Sequence, residues 1–251
     1  MKQSSALRES DEALCRLAHE EALVTTPFSV VFALYPEITQ LDFTGPFEVL
    51  SRLPGARTIV ASVKGGEIRA GGLSFSNVES LAAVEACDLI CVPGGYGTIE
   101  AMEDSDYLDA LRRLSKNARY VTSVCTGSLL LGAAGLIKGR RAACHWAWRD
   151  LLPDFGAIPD PARVVRDGHI ITGGGVTAGI DMALAVMAEI AGRDYAEAQQ
   201  LAIEYAPDPP FDGGRPERVR PEILNAVRAR NDTVRGRVEE VARRAAQRLG
   251  G

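Results

Sequence analysis

At 251 residues, with 46% hydrophobic and 24% charged side chains, the chain suits one α/β domain with appendages and is neither collagen-like nor wholly disordered. No run reaches the roughly 18 consecutive apolar residues of a membrane span, and residues 1–27 carry acids where a secretory signal would have an apolar core. Five cysteines, an odd number, make no disulfide framework, so at a net charge of −5 the expectation is a cytoplasmic protein with reduced thiols.

Residues 10–23 (SDEALCRLAHEEAL) set Leu14, Leu17 and Ala18 at helical spacing behind Ser10, which predicts a short amphipathic helix outside the main pattern. Phe28 to Leu34 (FSVVFAL) is an unbroken apolar run of strand length, as expected for a strand covered on both faces of a parallel sheet. Phe47, Leu50 and Leu53 recur every third residue. They predict a helix from about Thr44, with Pro46 in its first turn and Pro54-Gly55 ending it. Arg57 to Ala61 is a second strand. Gly65-Gly66 and Gly71-Gly72 punctuate residues 64–78, which read as turns and a minor hairpin.

Asp88 to Val92 is the next buried strand, closed by Pro93-Gly94-Gly95-Tyr96-Gly97. A helix over 106–115, a strand over 119–124 and a helix over 126–134 follow. A short strand near Ala142 precedes a helix over 146–152, and Arg163 to Thr172 reads as two strands around Asp167-Gly168. Helices over 177–190 and 194–204 come next. The stretch APDPPFDGGRPERVRP is too rich in Pro and Gly to be helical, and it leads to a polar helix over Pro221 to Leu249.

The alternation predicts an α/β fold with a mostly parallel sheet between helices. Residues 1–27 are read as an extension, 28–212 as the domain and 213–251 as a basic helical tail. From Arg215 onward the tail holds 10 Arg against 4 Glu and 1 Asp, a net of +5 that leaves −10 on the rest of the chain. An exposed helix laced with Glu and Arg, or a dimer contact, is expected of it, because no nucleic-acid recognition motif accompanies the charge.

Parallel sheets of this kind bind ligands beyond the carboxyl ends of their strands. Cys125 lies at such an end, between a β-branched strand and a helix, in VTSVCTGSLL. A nucleophile on a sharp strand-to-helix turn needs small residues two positions to either side, and Ser123 and Gly127 occupy them. The following helix aims its N-terminus at the sulfur, which favours thiolate. The residues alone leave a buried structural cysteine as the alternative. Gly94-Gly95 offers backbone N–H groups for an oxyanion-like donor pair, or is a plain strand exit. Asp42, framed by Leu41 and Phe43, is placed for a raised pKa and proton exchange, or is a helix-entry residue. Glu48, the other acid close to the first strand's carboxyl end, is a second candidate or is solvent-exposed, and His145 is read as a core or supporting histidine. Cys87 and Cys91 read as packing residues. Adjacent Cys144 and His145 suit a metal poorly, so no metal site is expected.

Taken in order, LYPEITQLDFTGPFEVLSRLPG, CVPGGYGT, TSVCTGSLLLGAAGLIKGRRAACHW and ITGGGVTAGIDMAL resemble the ThiJ/PfpI superfamily, over about Phe28 to Asp212. Its flavodoxin-like sandwich is similar to that of class I glutamine amidotransferases. Within it the segments look closest to the isonitrile hydratase branch and to the amidase-like domain of AraC-type regulators. The resemblance implies Cys125 as nucleophile and Asp42 as its acid/base partner. It also implies that Thr126 lines the pocket, that Gly95 donates a backbone N–H, and that Gly174 and Val176 belong to a loop and helix start that border the pocket and move during turnover. Thr126 stands where peptidase-like members carry histidine, which disfavours a Cys-His dyad, and Asp42 fits better than Glu48 for the acid. A cofactor-independent hydratase acting on a small-molecule isonitrile follows, as a homodimer with no metal, nucleic-acid or membrane partner. The rival readings are a cysteine-based redox or ligand sensor of the same fold, and glyoxalase- or amidase-like chemistry on another small electrophile.

Overall fold

The computed structural model describes Leu17 and residues 28–250, so the helix expected over 10–23 lies, but for Leu17, outside the described residues. β1 (Phe28–Ala33) is the apolar run read from the sequence, and Val30 to Ala33 are fully buried. α1 (Gln40–Leu50) starts earlier than Thr44, so Asp42 lies in its first turn and Pro46 falls in its interior. Tertiary packing overrides the proline: a Cβ on Gly45 would sit 3.1 Å from Ile180, and one on Gly179 would sit 3.0 Å from the Pro46 ring. The Gly45-Pro46 pair thus admits a close helix contact, which offsets a lost backbone hydrogen bond.

β2 (Ala56–Ser62) follows, then β3 (Gly66–Ala70) and β4 (Leu73–Ser80), which form the expected antiparallel hairpin. β5 (Leu89–Val92) is wholly buried and ends at Pro93-Gly94-Gly95. A single turn that the pattern does not predict, α2 (Thr98–Ala101), precedes α3 (Ser105–Ser115). Asp104 fixes the start of α3 by accepting the Tyr107 N–H at 3.0 Å. β6 (Tyr120–Val124) passes through Cys125-Thr126 into α4 (Gly127–Ala133), every residue of which is buried.

β7 (Arg141–Ala142) and β8 (Ile158–Pro159) pair apart from the main sheet. Between them Arg149–Phe155 is a 3₁₀ helix, where the sequence predicts an α-helix over 146–152. Pro153 denies that segment an α-helical hydrogen bond and Gly156, at φ 71°, ends it. β9 (Val164–Asp167) and β10 (Ile170–Gly173) turn back to back as expected, followed by α5 (Ala178–Ala191), α6 (Arg193–Ala202) and α7 (Pro221–Leu249).

The eight-stranded sheet runs β3-β4-β2-β1-β5-β6-β10-β9. Neighbours from β4 to β10 are parallel, and only the two edge pairs are antiparallel. The chain winds from β1 to β2 on one side and to β5 on the other, so the order reverses between β1 and β5. A crevice opens there beyond the carboxyl ends. The segments leaving β1, β5 and β6 converge on it, carrying Asp42, Gly94-Gly95 and Cys125.

α7 spans roughly 44 Å at 1.5 Å per residue. It buries Val238, Val241, Ala242 and Ala245, packing on α4 and the 3₁₀ segment. Its arginines meet acids of the same chain: Arg237 pairs with Glu100 at 2.8 Å, Arg244 with Glu103 at 2.7 Å, and Arg235 with Asp150. The helix is mostly exposed and laced with Glu and Arg as expected, in the Arg235–Glu239 and Arg244–Glu240 pairs, and three of its arginines also reach acids of the body. Exposed ion pairs contribute at most about 1 kcal/mol each, whereas a buried valine contributes roughly 1.5–3 kcal/mol. The apolar stripe holds the helix and the arginines set its register. Among the described residues no helix is long and apolar enough to cross a membrane.

Candidate active site

Cys125 adopts φ 59°, a left-handed conformation that costs a non-glycine residue about 1–2 kcal/mol. The fold fixes it from both sides. Its N–H points at the carbonyls of Gly174 (2.8 Å) and Gly173 (3.1 Å), at the end of β10. Two residues on, a Cβ at Gly127 would meet the Val92 carbonyl oxygen at 2.2 Å, so only glycine fits. Two residues back, Ser123 is buried, with its hydroxyl 2.8 Å from that of Ser128. Of the two small flanking residues read from the sequence, Gly127 is the one the turn requires.

Asp42 is completely buried beside this turn. Its Oδ2 accepts the Gly94 N–H at 3.0 Å, and its Oδ1 is buried with no hydrogen-bond partner in the resting structure. Burial pushes the carboxyl from an ordinary 3.8 to about 7, while the Gly94 N–H and the adjacent Cys125 thiol pull it part of the way back. The thiol is pushed well above its ordinary value, first by burial and then by Asp42 and Cys144, against a smaller opposing pull from the Thr126 N–H. The sequence suggested a resting thiolate at a helix N-terminus. The site instead holds a thiol beside a carboxyl near its midpoint at neutral pH, and α4 is only 7 residues long.

The expected donor pair at Gly94-Gly95 is not open. Gly94 donates to Asp42, and Gly95 donates to Thr126 Oγ1 at 3.0 Å. From Thr126 a hydroxyl relay runs to Thr98 (2.8 Å) and Tyr35 (3.0 Å), and Tyr35 donates to the Pro93 carbonyl at 2.9 Å. That last bond sets the direction: Thr98 donates to Tyr35 and Thr126 donates to Thr98. Side chains at either glycine are excluded, since a Cβ would lie 2.5 Å from Thr126 N at Gly94 and 2.3 Å from Thr39 N at Gly95. The donor facing the sulfur is the Thr126 N–H.

Above Cys125 and Thr126 opens a cavity of 580 Å³, walled chiefly by Ile99, Leu129, Trp148, Val176, Val234 and Val238. Gly95 also lines it. Gly174 does not, and its part is the carbonyl that holds the Cys125 N–H. Asp42 is not among the lining residues: its buried carboxyl lies behind Cys125, next to the thiol that faces the cavity. His145, read from the sequence as a supporting residue, is on the wall. Its Nδ1 accepts the Ala147 N–H at 3.3 Å and burial lowers its pKa, so the ring is neutral. Glu48 is exposed and pairs with Arg52, away from the site. The helix expected over Pro221 to Leu249 is found as α7, and what sequence reasoning missed is its part in the wall, to which it supplies Val234, Val238, Arg230 and Arg237. Val234, Val238, Val241 and Ala245, spaced three or four apart in an otherwise polar helix, were the available signal. Among the described residues no three His, Cys, Asp or Glu side chains gather as metal ligands.

Residues 28–189 match the DJ-1/PfpI family. The chain is 47% identical over 219 residues to isonitrile hydratase of Pseudomonas putida, covering 87% of this chain and 96% of that protein. It is 30% identical over 183 residues to the HTH-type transcriptional regulator CdhR of Pseudomonas aeruginosa, covering 69% of this chain and 52% of the regulator. The crystal structure of a ThiJ/PfpI family protein from Pseudomonas syringae superposes with a TM-score of 0.85 at 35% identity, covering 89% of this chain and 93% of that one.

Proposed function

The chain belongs to the DJ-1/PfpI family, and from that premise we propose that it is an isonitrile hydratase, converting R–N≡C and water to an N-substituted formamide. The observation that carries the reading is the Cys125–Asp42 pair, a strained cysteine against a buried carboxyl of pKa about 7 at the floor of an apolar cavity. The identity to the Pseudomonas putida hydratase supports the choice of substrate.

An isonitrile carbon accepts a nucleophile only if its adduct is protonated, so the chemistry needs a thiol and a group that moves its proton. In the first step the sulfur–carbon bond forms while the thiol proton passes to Asp42 and on to the former isonitrile carbon. The product is R–N=CH–S–Cys125. Carboxylate Asp42 then takes a proton from water as its oxygen adds to that carbon, and delivers the proton to nitrogen. Collapse of R–NH–CH(OH)–S–Cys125 breaks the carbon–sulfur bond, releases R–NH–CHO and returns the hydroxyl proton to sulfur. One water is added, and the cycle calls for neither metal nor organic cofactor. The Thr126 N–H stabilises charge on sulfur in both directions. Gly95 and Val176 shape the cavity, and Gly174 holds the turn. A homodimer in the cytoplasm, with no nucleic-acid or membrane partner, completes the reading.

The test is formamide formation from cyclohexyl isonitrile, followed in the ultraviolet. Wild type and Glu48→Gln should turn over with saturation, and Cys125→Ala should not. No turnover across alkyl and aryl isonitriles, by protein whose Cys125 still reacts with iodoacetamide, would sink the assignment and favour a cysteine sensor.

A further inference from the structure

Beside the catalytic cavity lies a second concavity, of 570 Å³, whose wall shares His145 and Val176 with the first. Its charge is one-sided. Arg149, Arg163, Arg215 and Arg218 face it, against the single acid Glu217. Two of these arginines are already matched: Arg163 pairs with Asp181 at 2.5 Å and Arg218 with Asp212 at 2.8 Å. Arg149 and Arg215 make no direct ion pair among the described residues, although the Arg149 charge helps hold the Asp160 carboxyl down, and Arg149 is half-buried. A guanidinium stays charged at any physiological pH, and in a half-buried place it gives up hydration that an anion would restore.

The two unpaired arginines come from different parts of the fold. Arg149 belongs to the 3₁₀ segment under α7, next to Trp148, over whose ring the Arg235 guanidinium lies at 5.9 Å. Arg215 belongs to the Pro- and Gly-rich connection that leads into α7. The concavity is therefore where that connection crosses the body, walled by cations on both sides.

We propose that this concavity binds a small multivalent oxyanion, with phosphate or polycarboxylate groups, bridged between Arg149 and Arg215. Planar guanidinium forks match both oxyanion geometries. Bridging fastens the connection before α7 to the body, and α7 is a wall of the catalytic cavity. The site is independent of the isonitrile reading, because its occupancy is measured without turnover.

The experiment is isothermal titration of the full chain with inorganic phosphate and, separately, with citrate, against sodium chloride at matched ionic strength. Intrinsic fluorescence is the second readout, since Trp146 lines the concavity and the chain has 2 tryptophans. Saturable binding of either anion is expected, weakened at least tenfold in Arg149→Gln/Arg215→Gln and unchanged in Arg193→Gln, whose arginine is exposed elsewhere. Preference for phosphate or for citrate identifies which oxyanion chemistry the site takes. Arg215→Gln alone, in an exposed connection, serves if the double variant does not fold. No saturable binding of either anion, or the same affinity after these arginines are removed, would overturn the proposal.

Discussion

Asp42→Asn should slow the enzyme and stabilise the fold, and the stabilisation should depend on pH. The carboxyl is raised from 3.8 to about 7 by burial. Its folded-state pKa lies above the unfolded one, so the native chain holds this proton more tightly. Its contribution to stability is fully present below pH 4 and is lost as pH rises through 7. At about 1.36 kcal/mol per pKa unit, the lost contribution is roughly 4 kcal/mol at pH 8, as an upper figure. Asparagine keeps the oxygen that accepts the Gly94 N–H but puts an amide where Oδ1 already lacks a partner. An unsatisfied buried donor costs about 1–3 kcal/mol. The balance is a gain of about 1–3 kcal/mol at pH 8, or roughly 2–12 °C in Tm for a chain of this size, shrinking or reversing at pH 4. Thermal unfolding followed by circular dichroism at the two pH values reads the difference directly. An Asn variant less stable than wild type at pH 8, or one whose change is equal at both pH values, would refute the reasoning. Turnover should fall by about 10²–10⁴-fold in the same variant, because general acid–base help is of that size.

Wild-type kcat/KM should rise about tenfold per pH unit below an apparent pKa near 7 and stay level to pH 9, because the working pair is a thiol with a carboxylate and burial keeps the thiol protonated; a stopped-flow profile that falls between pH 7 and 9 would contradict this. Gly127→Ala should lower stability by about 3 kcal/mol or more, since its Cβ meets the Val92 carbonyl oxygen at 2.2 Å with only backbone to yield; denaturant unfolding reads it. Val234→Trp on α7 should raise KM for cyclohexyl isonitrile at least tenfold while leaving methyl isonitrile within about twofold, because the indole takes up cavity volume that only the larger substrate needs. Equal KM changes for both substrates would mean that α7 does not shape the substrate site.

The strands were legible because strands buried on both faces read as apolar runs: FSVVFA and LICV need no periodicity to stand out. Cys125 was legible because its turn tolerates only small residues at fixed offsets. Gly45-Pro46 misled, since the helix start read there from local chemistry is a mid-helix contact made in three dimensions against Gly179 and Ile180. Gly94-Gly95 was recognised as a close approach, but its donors turned out to be taken by Asp42 and Thr126, and a pattern of glycines does not say what their N–H groups face. The sign of the tail's charge was plain in the sequence. Its purpose was not, because Glu100, Glu103 and Asp150 are over 80 residues away along the chain and become partners only when α7 folds across α4. The same distance hid the cavity wall that α7 provides. The thiol's environment was likewise beyond reach, because local sequence marks a helix start but not the burial that outweighs it.

Covalent catalysis at Cys125 is tested by rapid-quench mass spectrometry of the full chain during turnover of cyclohexyl isonitrile. Wild-type protein should show a transient mass increase of one isonitrile, mapped to the peptide holding Cys125, that decays as formamide appears and is absent from Cys125→Ala. Formamide produced at full rate with no adduct at any time, or turnover retained by Cys125→Ala, would contradict it.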